Sequence, residues 1–318
     1  MVYVVPTVFS ATSFREDGAC GAPEPVSSLV LLKNGIRLRS FRGVSMSFFR
    51  GGVAVVTGAG SGIGRALAQQ LAAKGSALAL ADIDQEGLAG TADSLPKKKA
   101  EVTTHIVDVS DEAAVSAFAR EVVERHDRVT LLINNAGVVL YGTSEEISLD
   151  DLRWVMGINF WGVVYGTKYF LPVLKQQKKA HIVNVSSVVG LIAPPGQCAY
   201  TTSKFAVRGF TECLRHELEG TAIGVSCVHP GAIRTAIARR SRVGAGTPPE
   251  RKEQAIPRFE NSAKTSAEAA AQTILRGVER REPRIIVGAD ARRLDAVQRK
   301  NPATYWKVLT HNARRAKS

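Results

Sequence analysis

The sequence predicts a three-layer α/β fold, in which a mostly parallel sheet of seven strands is covered by helices on both faces. Short apolar segments alternate along the chain with longer segments whose apolar residues recur at helical spacing. The short segments are apolar throughout, which is typical of strands buried on both faces of a parallel sheet. With 318 residues, 45% of them hydrophobic, the chain is long enough to build such a core.

The elements follow one another regularly from residue 53 onwards. The strands are predicted at 53–57, 77–81, 102–107, 130–134, 181–186, 224–229 and 284–287, and the helices at 63–74, 85–94, 111–125, 149–177, 199–219 and 267–276. Glycine and polar residues bound the strands, and Asp84 is placed to cap the second helix. Pro172 is expected to bend the fourth helix, because proline lacks an N–H group and crowds the preceding turn. Right-handed crossovers then give a doubly wound sheet.

A glycine-rich turn joins the first strand to the first helix. Its key glycines are Gly58, Gly62 and Gly64, within the segment Thr57–Gly64. Glycine lets the main chain approach a pyrophosphate closely, and the following helix N-terminus offers free N–H groups and a partial positive charge. The turn therefore predicts a dinucleotide site, although a purely structural turn gives the same pattern.

Acidic residues follow the second and third strands. Asp82 lies 24 residues after Gly58, where a carboxylate accepts hydrogen bonds from the adenosine ribose and repels the 2′-phosphate of NADP. No Arg or Lys occupies position 61 or directly follows Asp82, which favours NAD(H) over NADP(H). Asp108 is placed to meet the adenine amino group. Turn capping is the alternative role for both aspartates.

Further polar residues follow the fourth strand and occupy the fifth predicted helix. In the segment 134–137, the two asparagine amides are expected to tie neighbouring strands, while Ala136 and Gly137 leave room for a cofactor. Tyr200 and Lys204 are four residues apart, so they share one face of a helix. A nearby ammonium lowers the pKa of a phenol, and a tyrosine tuned in this way can exchange a proton with an alcohol or ketone.

These motifs make residues 51–235 similar to the short-chain dehydrogenase/reductase family, in motif order as well as content. The resemblance rests on Thr57–Gly64, on 134–137, on Ser187 at 13 residues before Tyr200, on Tyr200–Lys204 and on Pro230-Gly231. It implies a three-layer, doubly wound Rossmann fold. Tyr200 is then the general acid or base, Lys204 lowers its pKa and binds the nicotinamide ribose, and Ser187 hydrogen-bonds the substrate oxygen. On local sequence alone, Ser186 rivals Ser187.

The resemblance also gives Asn159 the role of holding a water that passes protons to solvent, and Thr235 that of binding the nicotinamide carboxamide. The residues expected to bind the cofactor are Gly58, Ser61, Gly62, Ile63, Gly64, Asp82, Asp108, Val109, Asn135, Ala136, Gly137, Tyr200, Lys204, Pro230, Gly231, Ile233 and Thr235.

The predicted function is reversible hydride transfer between NAD(H) and a secondary alcohol or ketone, with an apolar small-molecule substrate. A non-redox enzyme of the same fold, such as an epimerase or lyase, and a non-catalytic cofactor-binding sensor are the alternatives. No metal site is expected, because the histidines lack ligand spacing. A homodimer or homotetramer is expected by resemblance. Four scattered cysteines without CxxC spacing suggest reduced thiols in a cytoplasmic protein.

The two ends of the chain differ from residues 46–288, which are expected to form the dehydrogenase domain with a substrate lid at about 236–262. Residues 1–45 are expected to be a poorly ordered extension, or to precede a natural start at Met46. Residues 289–318 are expected to form a basic helical extension. The net charge of +13 is concentrated at these ends. Without an aromatic-rich basic stripe, nucleic-acid binding is not expected, and a solvated surface is preferred to membrane contact.

Overall fold

The computed structural model describes residues 48–96 and 101–315. The predicted extension at 1–45 lies outside these residues. Seven strands form one sheet in the order β7-β6-β5-β4-β1-β2-β3, and every pair of neighbours is parallel. The strands are β1 (Val53–Thr57), β2 (Ala77–Asp82), β3 (Val102–Ile106), β4 (Leu131–Asn134), β5 (Ala180–Val185), β6 (Ile223–Pro230) and β7 (Arg284–Val287). The fold prediction is confirmed.

Helices cover the sheet on both sides. They are α1 (Gly62–Ala73), α2 (Gln85–Asp93), α3 (Glu112–His126), α4 (Leu149–Met156), α5 (Gly162–Lys175), α6 (Cys198–Glu217), α7 (Glu250–Ser262), α8 (Ala267–Glu279), α9 (Ala289–Lys300) and α10 (Tyr305–Arg315). In this part of the chain no helix is both long and apolar enough to cross a membrane.

Successive strand residues point to opposite faces of the sheet, and their side chains pack into two separate hydrophobic cores. In β1, Val56 packs with α1 and α8, whereas Val55 packs with α3, α5 and α6. Both side chains are fully buried. Burial on both faces explains why a central strand such as β1 is almost entirely apolar, since neither set of its side chains meets water.

The long helix predicted at 149–177 is divided into two helices in the structure. A π-helical turn, Gly157–Trp161, joins α4 to α5, and α5 continues through Pro172. The π-turn was not predicted from the sequence, and the expected bend near Pro172 stays a prediction. The π-turn places Asn159, which is completely buried, toward the end of the sheet where the predicted site residues lie.

The predicted lid and the C-terminal segment add structure beyond the sheet. Within the segment predicted to be a lid, the short strand Arg242–Val243 pairs with Leu140–Tyr141, and α7 follows. Helices α9 and α10 extend the chain beyond β7. Tyr305, at the start of α10, accepts a hydrogen bond from the Ala193 main-chain N–H at 2.8 Å, so this extension contacts the segment between Ser187 and Tyr200.

Candidate active site

The glycine turn leaves a cradle beside the N-terminus of α1. Gly62 has a φ of +52°, a conformation that other residues rarely adopt, and an added methyl group there would lie 3.0 Å from Thr235 Cγ2. A methyl group on Gly64 would collide with the Gly58 carbonyl oxygen. Ser61 is the N-cap of α1, yet its side chain makes no capping hydrogen bond. These features fit a bound pyrophosphate, which needs close main-chain approach and free donors.

Asp82, at the end of β2, faces the same turn. Its carboxylate accepts hydrogen bonds from the Gly60 N–H at 2.7 Å and the Asp84 N–H at 2.9 Å. Asp84 caps α2 as expected, by accepting from the Gly87 N–H at 3.0 Å. Asp82 therefore links the glycine turn to α2, and its partial exposure leaves it accessible to a ligand.

Two arginines that the sequence did not single out lie near Asp82. Arg65 donates hydrogen bonds to the carbonyl oxygens of Gly60 at 2.6 Å and Gly87 at 3.0 Å. Arg240, from the lid, pairs with Asp84 at 3.2 Å. Both guanidinium groups are thus already engaged by the protein.

The predicted site residues after β3 and β4 make hydrogen bonds and packing contacts within the protein. Asp108 is exposed and accepts from the Ser110 N–H at 2.9 Å, as in the capping alternative. Val109 packs on the core beneath α5. Asn135 donates to the Thr57 carbonyl oxygen at 2.9 Å and so ties β4 to β1, as expected. The Ala136 N–H donates a hydrogen bond to the Thr57 hydroxyl at 3.1 Å.

Asn159 joins three parts of the predicted site. Its Oδ1 accepts from the Val138 N–H at 2.8 Å, and its Nδ2 donates to the Val138 carbonyl oxygen and to Ser203 Oγ, each at 3.0 Å. A methyl group on Gly137 would lie 3.1 Å from Asn159 Oδ1 and 3.3 Å from Lys204 Nζ. Glycine at this position therefore allows the asparagine, the lysine and the loop after β4 to meet.

The structure separates the two candidate serines. Ser186 is buried, and its hydroxyl donates to the Lys204 carbonyl oxygen at 2.8 Å. Ser187 comes after β5, and its side chain is close enough to Tyr200 to favour a lower pKa of the phenol. Its Oγ also accepts from the Val189 N–H at 3.3 Å. The structural role of Ser186 leaves Ser187 as the serine adjacent to Tyr200.

Tyr200 and Lys204 lie on one face of α6, but burial dominates their acid–base properties. Burial raises the pKa of Tyr200 to about 12, although the side chain of Ser187 opposes this shift. Burial lowers the pKa of Lys204 to about 8. Lys204 Nζ lies 5.7 Å from the Tyr200 ring centroid and donates to the Val185 carbonyl oxygen at 3.0 Å. The expected lowering of the phenol pKa is therefore not a property of the protein alone.

The loop after β6 completes the site. The N–H of Ala232, next to Gly231, donates to Asp290 Oδ2 at 2.8 Å, so the start of α9 supports the loop that begins with Pro230. Ile233 is buried in the core near α1 and α8, and Thr235 faces the glycine turn. Apart from Tyr200 and Lys204 on α6, the predicted cofactor residues thus lie beyond the carboxyl ends of β1, β2, β3, β4 and β6, where ligands bind in doubly wound sheets.

A family model for short chain dehydrogenases matches residues 52–245. The chain belongs to the short-chain dehydrogenase family. It is 43% identical over 266 residues to SadH of Mycobacterium tuberculosis, which covers 83% of this chain and 96% of SadH. It is 35% identical over 251 residues to dehydrogenase/reductase SDR family member 7B of Xenopus tropicalis, covering 77% and 80% of the two chains.

Solved structures of this family share the fold. A short-chain dehydrogenase/reductase from Burkholderia phymatum, in complex with NAD, has a TM-score of 0.73 and 37% sequence identity, and the match covers 80% of this chain and 94% of that one. Together with the family match, it confirms the resemblance inferred from the motifs. This short-chain dehydrogenase is an oxidoreductase of a family that binds nicotinamide cofactors.

Two residues of the short-chain dehydrogenase site escaped the sequence analysis. Tyr141 is buried beside Tyr200, and its negative charge, when ionised, raises the Tyr200 pKa further. Its strand, Leu140–Tyr141, is too short to give a periodic signal. His229 was considered only as a metal ligand, yet its Nδ1 lies 3.0 Å from the Ser187 carbonyl oxygen. Its position directly before Pro230-Gly231 was the available signal.

Proposed function

We propose that this short-chain dehydrogenase is NAD(H)-dependent and interconverts a secondary alcohol and a ketone, with Tyr200 as the general acid and base. The meeting of Tyr200 with Ser187 on one side and Lys204 on the other supports the proposal most strongly. Asn159 connects this group to the loop after β4 through Val138 and Ser203.

Each residue has a defined task in the proposed reaction. Ser187 donates a hydrogen bond to the substrate oxygen and polarises a carbonyl group. In ketone reduction, Tyr200 gives its proton to that oxygen, and a phenol with a pKa of about 12 is fully protonated for this purpose at neutral pH. The cofactor, when bound, supplies the hydride exchange.

Alcohol oxidation requires a lower pKa of Tyr200 than ketone reduction does, since the phenol must lose its proton before it can accept one from the alcohol. Lowering a phenol pKa from about 12 to about 7 requires roughly 7 kcal/mol of differential stabilisation at 1.36 kcal/mol per pH unit. Lys204 carries a positive charge at neutral pH, because its pKa is about 8. Its ammonium group and the charge of an oxidised nicotinamide act in the same direction and share this requirement.

The surroundings of Asp82 support NAD(H) over NADP(H). A 2′-phosphate near this carboxylate would be repelled, and Asp84 adds a second negative charge. Arg65 makes its hydrogen bonds to main-chain carbonyls and Arg240 pairs with Asp84, so neither guanidinium is free for the phosphate. We expect Asp82→Ala to weaken NAD binding and to relax the rejection of NADP, as measured by fluorescence titration with both reduced cofactors. An unchanged ratio of the two dissociation constants would contradict the role of Asp82.

The substrate is proposed to be small and apolar. Val188 and Val189 pack beside Tyr200, and Ala238 of the lid is buried. The charged lid residue Arg239 pairs with Glu260 at 2.6 Å while it remains exposed, so its charge is compensated outside the site. Apolar side chains beside the hydroxyl of Ser187 and the phenol of Tyr200 would suit a carbonyl compound with a hydrocarbon body.

Exposed aromatic residues support a homodimer or homotetramer. Trp161 is 46% exposed and Phe205 is 39% exposed, on the π-turn and on α6 respectively. Large aromatic side chains are enriched at protein interfaces, so a second copy is the proposed partner for this surface. Sedimentation velocity of Trp161→Ser should show weakened association, whereas unchanged association would place the interface elsewhere. We also propose a cytoplasmic location for the protein.

The function is tested with purified protein, NAD and a panel of cyclohexanol, 1-phenylethanol and 2-octanol, by following NADH absorbance. We expect turnover of at least one alcohol, and expect Tyr200→Phe to abolish it while cofactor binding is retained. Tyr169→Phe is the matched control, because it also removes a hydroxyl hydrogen bond, the one to Glu112 at 2.8 Å, on the outer helix α5. Cofactor binding without turnover would favour a sensor, and retained NADH production by Tyr200→Phe would contradict the role of Tyr200 as general acid and base.

A further inference from the structure

We propose that His229 is a positioning residue, which holds Ser187 in place by a hydrogen bond to the main-chain carbonyl of Ser187. This inference rests on the proposed function of Ser187. His229 lies on β6 and is completely buried. Its Nδ1 lies 3.0 Å from the Ser187 carbonyl oxygen. The histidine directly precedes Pro230-Gly231, where the loop proposed to bind the cofactor begins. Its side chain therefore links the end of β6 with Ser187, which is proposed to contact the substrate.

The partner of His229 determines which ring nitrogen carries the proton. A carbonyl oxygen accepts hydrogen bonds but cannot donate one, so Nδ1 must be the donor. The other nitrogen, Nε2, is buried and has no hydrogen-bond partner among the described residues. A proton on Nε2 would lack an acceptor, and burial accordingly lowers the pKa of His229 to about 4. The ring is therefore neutral at physiological pH and keeps one orientation.

The position of this hydrogen bond explains why Ser187 needs it. The main-chain pairing between β5 and β6 ends with the bond from the Ser186 N–H to the Val228 carbonyl oxygen at 2.9 Å. Ser187 then begins a short 3-10 turn, in which the Gly190 N–H donates to its carbonyl oxygen at 3.0 Å. That bond fixes the shape of the turn but not its position relative to β6. The His229 side chain continues the link between the strands at the residue where main-chain pairing stops.

An ordinary core histidine is the alternative, and the chain contains one for comparison. His181 lies at the opposite end of β5 from Ser187, is also buried, and makes one hydrogen bond, with Ser226 Oγ at 2.8 Å. Burial lowers its pKa to about 3. Its burial and uncharged state match those of His229, but it lies near the start of β5, away from Ser187, which follows the end of that strand. His181→Leu therefore measures the general cost of removing a buried histidine.

The test uses His229→Leu, His229→Asn and His229→Gln in the full chain. Asparagine carries an N–H donor on the atom bonded to Cγ, as the Nδ1 of histidine does, whereas glutamine places its amide one bond further out. We expect kcat for the fastest alcohol of the panel, with NAD, to fall about tenfold or more in His229→Leu and His229→Gln, because small displacements of a reacting group reduce rates steeply. His229→Asn should restore kcat to within about threefold of the wild type, with the KM for NAD within about twofold in all three variants.

The outcomes separate this inference from the proposed function. An active wild type, with kcat in His229→Leu no lower than in His181→Leu, would overturn the positioning role alone. Equal kcat values for the asparagine and glutamine variants would do so as well, even if the leucine variant fails to fold. A wild type that oxidises none of the alcohols would overturn the proposed function, and the role of His229 with it.

Discussion

Replacing Asn159 with alanine should destabilise the fold and slow turnover together. The substitution removes three hydrogen bonds, two with the main chain of Val138 and one with Ser203 Oγ, at 2.8 to 3.0 Å. The side chain is completely buried, so water does not readily replace it. At about 0.5–1.5 kcal/mol for each bond, the free energy of unfolding should fall by about 2–4 kcal/mol. Because the loop after β4 also contacts the lysine of the site, kcat should fall about tenfold or more.

Urea unfolding followed by circular dichroism measures the first effect, and alcohol oxidation well below the unfolding midpoint measures the second. Asn184→Ala is the matched control, since Asn184 is equally buried and its hydrogen bonds go to Asn134 at 2.9 Å and Thr211 at 3.1 Å. We expect a loss of about 1–3 kcal/mol in this control with kcat unchanged. A loss below about 1 kcal/mol for Asn159→Ala, or equal kcat values in the two variants, would refute the assigned role of Asn159.

Three further predictions concern backbone space and pH. Gly137→Ala should reduce kcat about tenfold or more, because its methyl group would press on the side-chain oxygen of Asn159 and the ammonium of Lys204; steady-state kinetics would show this, and wild-type rates would contradict it. Gly64→Ala should abolish NADH fluorescence enhancement, since the methyl group would displace the glycine turn; normal binding would show that the turn can adjust. His181 has a folded pKa of about 3, below its unfolded value near 6.5, so its contribution to stability is present above pH 6.5 and lost as pH falls. Urea unfolding should show a loss of about 3 kcal/mol by pH 4.5 from this residue, absent in His181→Leu; the same slope in both proteins would contradict it.

The fold was predictable because short apolar strands alternate regularly with longer helices whose apolar residues recur at helical spacing. Strands such as β1 are buried on both faces and flanked by glycine. Such segments can be recognised from the sequence without any information about tertiary contacts. The positions of Tyr200 and Lys204 on one helix face follow from helical spacing alone. The strands Leu140–Tyr141 and Arg242–Val243 could not be predicted from the sequence. A strand of two residues shows no hydrophobic periodicity, and each strand pairs with a segment far away in the chain.

The chemistry of the site was less predictable than its composition. A sequence shows that Lys204 is near Tyr200, but it does not show how deeply each is buried, and burial turned out to be the larger influence on both pKa values. The choice between Ser186 and Ser187 likewise depended on a hydrogen bond to a main-chain carbonyl. The sequence did not reveal Arg65 and Arg240 near Asp82, because Arg65 bonds main-chain carbonyls from α1 and Arg240 pairs with Asp84 from a distant segment.

The π-turn at Gly157–Trp161 restricts how this part of the chain can change in length. Val155 of α4 packs against Leu140 and Ala199, whereas Phe170, Val173 and Leu174 of α5 face the sheet. Each residue of a helix advances its side chains by about 100° around the axis, so the extra residue in a wider turn sets the angular offset between these two buried stripes. A single deletion there would rotate one stripe toward solvent, whereas a conservative substitution would not. Insertions and deletions should therefore be rare at 157–161 in homologous proteins and commoner in the loop at 143–147.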